Sequence, residues 1–318
     1  MKSIKNLSQW LLILGFVFSI VACSDDDDNV ITEDPQTIAA IAVETDDLSI
    51  LVQALQRADL VSVLEGTGPF TVFAPTNAAF GDLLAAKGFA SLDDVPTDVL
   101  TQILLNHVVN GNFQSSGLST SYVQTNATEA STGNNLSLYI NTDNGVTLNG
   151  ISNVVTADVE ASNGVVHIVD AVIDLPTVVT FATADNTFQT LVAALTRSDL
   201  TTDFVGVLSG AGPFTVFAPT NDAFGALLAE LNLGGLGDIP VETLDAVLKY
   251  HVVGGANVLS TMLTDDMPVE TLAEAEFSID LDNGAEIVDA RNRRTSIVVT
   301  DVQASNGVVH VISNVILP

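Results

Sequence analysis

Four histidines are the residues whose type and spacing could do chemistry, and they come in two pairs. His107 and His251 each precede two valines, while His167 and His310 each follow two. Two imidazoles in one unit raise the question of a metal site. Zinc takes three or four ligands. Neither repeat offers a third histidine or a cysteine, so a carboxylate such as Asp158 or Asp301 would have to complete the set. The alternative is structural: His107 and His251 hydrogen-bonded at a helix end, His167 and His310 within strands, each satisfied by backbone or side-chain partners. The valine neighbours favour the structural role, and no metal or other cofactor is expected.

Other chemistry is thinly represented. The sequence has no Gly-x-Ser-x-Gly, Ser-x-x-Lys or His-Glu-x-x-His motif. Its 39 Asp and Glu residues make a chance carboxylate pair easy to find, so counting does not exclude a glycosidase-type pair, but no catalytic residue is assigned. Asp143-Asn-Gly145 and Asp282-Asn-Gly284 could touch calcium, yet lack the ligand spacing of an EF-hand loop. They read better as hairpin turns. Arg291, Arg293 and Arg294 form the one basic cluster outside the N-terminal segment. They either relieve negative charge in a solvated loop or contact an acidic glycan or the acidic first repeat, for which the guanidinium fork is suited.

The elements that must position these residues occur twice. Gly68-Pro-Phe-Thr-Val-Phe-Ala-Pro-Thr-Asn-Ala-Ala-Phe80 returns as Gly212-Pro-Phe-Thr-Val-Phe-Ala-Pro-Thr-Asn-Asp-Ala-Phe224, 144 positions on. That distance is the size of a domain. The segment predicts a buried strand from Phe70, ended at Pro75 because proline has no N–H for the ladder, then a helix capped by Thr76. Leu51–Leu60 matches Leu191–Leu200 at an offset of 140 and has helical spacing. The offset change to 144 implies an inserted loop in the second copy. A further helix is predicted from near Pro96-Thr97 to Gly111, and from Pro240 to Gly254-Gly255, carrying His107 and His251 at its end. Alternating Leu136, Leu138 and Ile140 then lead to the Asp-Asn-Gly turn, and a last strand starts at Asn163-Gly164 or Asn306-Gly307. Helices first and most of the sheet later is an α+β order. The expected divisions are residues 1–22, 23–35, 36–176 and 177–318, and each repeat is expected to fold alone.

The first two divisions concern export. Lys2 and Lys5 precede an apolar run from Trp10 to Val21, as in a signal peptide and too short for a comfortable membrane span. Ile20-Val-Ala-Cys23 follows and holds the single cysteine, which has no partner for an intrachain disulfide. This end resembles a bacterial lipobox, which implies lipidation of Cys23; a plain signal peptide with an incidental cysteine is the other reading. Removing Lys2 and Lys5 leaves seven basic against 39 acidic residues and takes the formal charge from −30 to −32. Such a charge argues against nucleic acid as a partner. Ser24-Asp25-Asp26-Asp27-Asp28 is a solvated spacer, or resembles the acidic export signal of lipoproteins on the outer surface of Bacteroidota.

Three ordered blocks in each copy resemble the fasciclin domain: the strand–helix corner, the helix ending in Tyr250-His251, and Asn306-Gly-Val-Val-His310. The resemblance covers about 280 residues. It implies two tandem domains, each a small β-sandwich or wedge flanked by helices, and roles in adhesion. The implied partners are extracellular matrix, a glycan or another surface protein, with the membrane met only through a lipid anchor. Tyr250 and His251 become candidate binding residues, since the Tyr-His motif has been linked to integrin binding in animal members. The first repeat departs from it with Asn106-His107, so the resemblance does not extend such a role to that repeat. The expectation is a non-enzymatic, surface-anchored binding protein; the competing class is an enzyme or accessory protein handling extracellular polysaccharide or polymer.

Overall fold

A computed structural model describes residues 36–318. Cys23, the signal segment and the acidic tether lie outside the described residues.

The first domain begins with α1 (Ile38–Glu44), α2 (Ser49–Arg57) and α3 (Val61–Leu64), before the corner strand β1 (Phe70–Pro75). Thr76 caps α4 (Asn77–Lys87), its hydroxyl accepting from Ala79 N at 3.2 Å, as the sequence predicts. Then come α5 (Thr97–Leu105), β2 (Val108–Asn110), β3 (Ser121–Thr128), β4 (Asn135–Asn141), β5 (Thr147–Leu148), β6 (Ser152–Ala161) and β7 (Gly164–Val169). These strands close into a barrel in sequence order, sealed by the parallel pairing of β7 with β1. The Asp143-Asn-Gly145 turn joins the antiparallel β4 and β5, as expected.

The second domain repeats the order. It has α6 (Val178–Ala184), α7 (Gln189–Leu195), α8 (Phe204–Leu208), β8 (Phe214–Pro219), α9 (Asn221–Glu230) and α10 (Val241–Tyr250). Strands β9 (Val252–Gly254), β10 (Pro268–Glu270), β11 (Glu276–Asp280), β12 (Glu286–Val288), β13 (Arg294–Ala304) and β14 (Gly307–Ile312) follow. Its sheet runs β10-β11-β12-β13-β14-β8-β9 and stays open between β9 and β10.

One boundary differs from the sequence reading. The helix carrying His107 ends at Leu105, not near Gly111, and Val108–Asn110 forms β2 against β1. Its counterpart ends at Tyr250, and Val252–Gly254 pairs with β8. The β-branched valines that looked like the helix's last turn pack better on a pleated surface.

Alternation along the strands splits each core in two. In the first domain Val72, Ala74, Val108 and Val166 face the helices, with Phe80, Leu100 and Leu104. Phe73, Val109, Leu138, Ile140 and Val169 fill the barrel. The second domain has the same two layers.

The domains also share packing. Tyr139 of β4 is buried in the helix-side core of the second domain. Tyr122 of β3 meets Phe181 edge-on at 5.6 Å and Tyr139 at 4.9 Å. The Tyr122 hydroxyl donates to Asp185 at 2.8 Å, and Tyr139 approaches the same carboxylate at 3.4 Å. Gln303 N donates to Ser137 Oγ at 2.9 Å across the seam. Burial, and then the Asp185 charge, push the Tyr122 hydroxyl well above its ordinary pKa, so it stays a donor. A charge-assisted bond of this kind contributes about 1.5–3 kcal/mol. A double-mutant cycle of Tyr122→Phe with Asp185→Ala should therefore give a coupling of about 1–2 kcal/mol in denaturant unfolding. Additive single effects would mean that the contact contributes nothing.

Candidate functional site

The histidine motifs are built by the ends of helices and strands. His107 follows α5, and its Nδ1 lies 2.7 Å from Ile103 O, one helical turn back. A carbonyl only accepts, so Nδ1 carries the proton and Nε2 is left with a lone pair. That lone pair accepts Ile173 N at 2.8 Å. His251 does the same after α10: Nδ1 donates to Val247 O at 2.7 Å and Nε2 accepts Ile316 N at 3.2 Å. Each imidazole thus ties a helix end to the last segment of its own domain. Burial pushes both down to a pKa of about 4.

The strand histidines use the opposite tautomer. His167 Nε2 donates to Phe113 O at 2.9 Å, and Nδ1 accepts Asp158 N at 3.2 Å. His310 Nε2 donates to Val258 O at 2.8 Å, and Nδ1 accepts Asp301 N at 3.3 Å. Asp158 and Asp301 have positive φ, near 60°, at the irregular points of β6 and β13. That kink turns their N–H groups toward the rings. Their carboxylates, the candidates to complete a metal set, instead accept Ser115 N and Ser260 N, each at 2.7 Å. All eight ring nitrogens are therefore engaged by backbone groups, and none is presented to a ligand.

Tyr250 and His251 are brought together but buried. The Tyr250 hydroxyl donates to Glu276 O at 2.7 Å and accepts Ala290 N at 3.2 Å. Its ring meets Phe277 edge-on. Neither residue offers a surface to a partner in this arrangement, because both side chains lie inside the domain. Asn106, in the place of the tyrosine, is also buried and makes its own bonds to Ile173 O, Asp174 O and the Thr125 hydroxyl.

The three arginines separate. Arg293 bonds the buried Asp289 at 2.9 Å and donates to Val315 O at 2.7 Å. Arg294 bridges Asp280 at 2.5 Å and Glu286 at 2.9 Å. Arg291 makes no ion pair among the described residues and contacts the Pro318 carbonyl at 3.4 Å. Asp265, Asp280 and Asp282 lie close enough to share a cation. Arg294 already supplies the positive charge at Asp280.

Two asparagines, Asn163 and Asn306, mark the entry to the last strand in the sequence, and the structure gives them a larger role. The Asn163 side chain accepts Ile38 N at 2.9 Å and donates to Leu64 O at 2.7 Å and Gly66 O at 2.8 Å. Asn306 repeats this with Val178 N, Leu208 O and Gly210 O, at 3.0, 2.8 and 2.8 Å. Their recurrence before the same glycine in both copies was the available signal.

Two tandem α+β domains, each closing its first strand against its last in parallel, define the class. A solved FAS1 domain pair from the insect cell adhesion molecule Fasciclin I shares it: TM-score 0.53, 18% identity, covering 86% of this chain and 97% of that one. That likeness bears on the fold. The fasciclin domain family model matches residues 46–176 and 186–318, and the chain belongs to this family. The transforming growth factor-beta-induced protein ig-h3 of Sus scrofa is 30% identical over 257 residues, covering 80% of this chain and 35% of that protein. Protein sll1483 of Synechocystis sp. is 38% identical over 170 residues, covering 53% of this chain and 89% of that protein. Human periostin is 29% identical over 266 residues, covering 80% of this chain and 29% of its own length. The chain thus spans about a third of the length of the two animal relatives. Among the described residues no helix is long and apolar enough to cross a membrane.

Proposed function

We propose that the chain is a lipid-anchored adhesion or binding protein of a bacterial surface, with Cys23 as the lipidated residue and the outer membrane as its site. The observation that carries this reading is that the duplicated histidine motifs face inward while particular valines on the long strand of each domain face solvent. All four histidines hold backbone groups together, whereas Val155 on β6 and Val298 and Val299 on β13 are exposed at 57%, 56% and 40%. These valines stand on the equivalent long strand of each domain, where apolar side chains are available for contact with a partner. Arg291 adds a guanidinium suited to an acidic glycan or a surface carboxylate. The solved pair from an insect adhesion molecule and the matches to ig-h3 and periostin support adhesion generally. Extracellular matrix, glycan or a second surface protein is the partner class.

The test is an adhesion assay. Cells expressing the whole chain should bind spots on an array of glycans and matrix proteins. Cells expressing Cys23→Ser should bind few or none, with the protein moved from the detergent phase to the aqueous phase, because Cys23 is the only thiol that can carry an acyl chain. Equal partitioning of both proteins would overturn the anchor. Equal adhesion by cells lacking the protein would overturn the function.

A further inference from the structure

The second domain contains a cavity of about 180 Å³ between α6, α7, α8 and the sheet. We infer that it is a binding site for a neutral hydrocarbon group of about six to eight carbons. The size estimate follows from an apolar cavity of about 150 Å³, which stays dry and takes benzene.

The chemistry of the wall fixes the ligand class. Every lining residue is Val, Leu, Ala or Phe except Thr183, Thr196 and His251. Thr183 donates to Val179 O and Thr180 O, and Thr196 donates to Val192 O. Both ring nitrogens of His251 are taken by Val247 and Ile316. The wall therefore has no uncommitted donor to offer, and a polar group placed inside would lose its water without replacement. Val205, Thr183 and Thr196 are exposed, which marks the mouth, while Leu248 and Val309 form the buried floor. Asp203, two residues before Val205, caps α8 through Gly206 N. A carboxylate there disfavours an anionic head group.

The cavity has a cause in the sequence. The copies align at an offset of 140 through Leu200 and 144 at the corner, so four extra residues lie between α7 and α8. In the first domain α3 packs on both α1 and α2. In the second, α8 packs chiefly on α6. The insertion lets α8 draw away from α7, and the cavity opens where the two separate. This inference does not depend on the adhesion reading.

The experiment is a titration of the chain with n-alkanols from butanol to decanol, read by methyl NMR and by Tm. Affinity should rise about three- to fourfold per added methylene, from about 0.8 kcal/mol for each, and level off near seven or eight carbons. Heptanoate should bind at least about tenfold more weakly than heptanol, because a carboxylate entering the cavity loses its water and the wall offers no uncommitted donor in exchange. Ala182→Trp should abolish saturable binding by filling the space. Val205→Asp, at the exposed mouth, should weaken alkanol binding several-fold by replacing an apolar wall contact with a carboxylate that keeps its water, while leaving Tm without ligand nearly unchanged. Non-saturable binding, or equal binding by wild type and Val205→Asp, would overturn the site.

Discussion

Asn306→Ala is expected to destabilise the second domain by about 3–5 kcal/mol, and Asn163→Ala the first by a similar amount. Each side chain makes three bonds to backbone groups far away in the chain, two of them buried and one part-buried. Truncation leaves one N–H and two carbonyls without partners, at about 1–3 kcal/mol for each group stranded from water. The glycine that follows sits at a φ of 153° or 155°, against the backbone of Phe70 or Phe214, where a Cβ would collide with the carbonyl oxygen. The asparagine joins that close approach of first and last strands to the start of one helix and the end of another. Urea unfolding of the whole chain measures the effect, with exposed Asn314→Ala as control. A change under about 1 kcal/mol in both variants would show that water replaces the lost partners.

These asparagines mark where sequence reasoning stopped. The start of the last strand was legible because Asn-Gly bounds a β-branched run. The side chain's reach to Leu64 and Ile38 was not, since a hydrogen bond across about a hundred residues leaves no periodicity. The corner strand, the Thr76 cap and the Asp-Asn-Gly hairpin were legible because local sterics and capping set them. The end of α5 was misplaced because Val108 and Val109 satisfy a helical face locally and take the strand only when β1 is present. The arginine cluster was visible as charge, but only the fold pairs Arg293 and Arg294 and leaves Arg291 exposed with no ion pair among the described residues. The seam at Tyr139 and Asp185 had no sequence signature, because it depends on how two finished domains meet.

Acid should unfold the protein through its helix-end histidines. His107 and His251 titrate near pH 6.5 in the unfolded chain and near 4 in the folded one, chiefly because burial disfavours the charged ring. Between these values the unfolded chain holds more protons, so stability rises with pH. It is complete above 6.5 and is lost as pH falls toward 4. At about 1.4 kcal/mol per pH unit the loss is about 3 kcal/mol for each ring. The geometry gives the same sign: a proton on Nε2 would take the lone pair that accepts Ile173 N or Ile316 N. Asp174 offsets part of the shift at His107, while Arg293 adds to it at His251. Unfolding free energies measured at intervals from pH 7 to 4.5 should fall steeply in wild type. The double variant His107→Gln, His251→Gln should start less stable but show a flatter slope across that window, since glutamine does not titrate. The same wild-type series with EDTA or added zinc should superimpose. A shift on chelation that the double variant lacks would establish a metal role, and an unchanged slope in that variant would place the acid sensitivity on other groups, His310 first, which burial also pushes down.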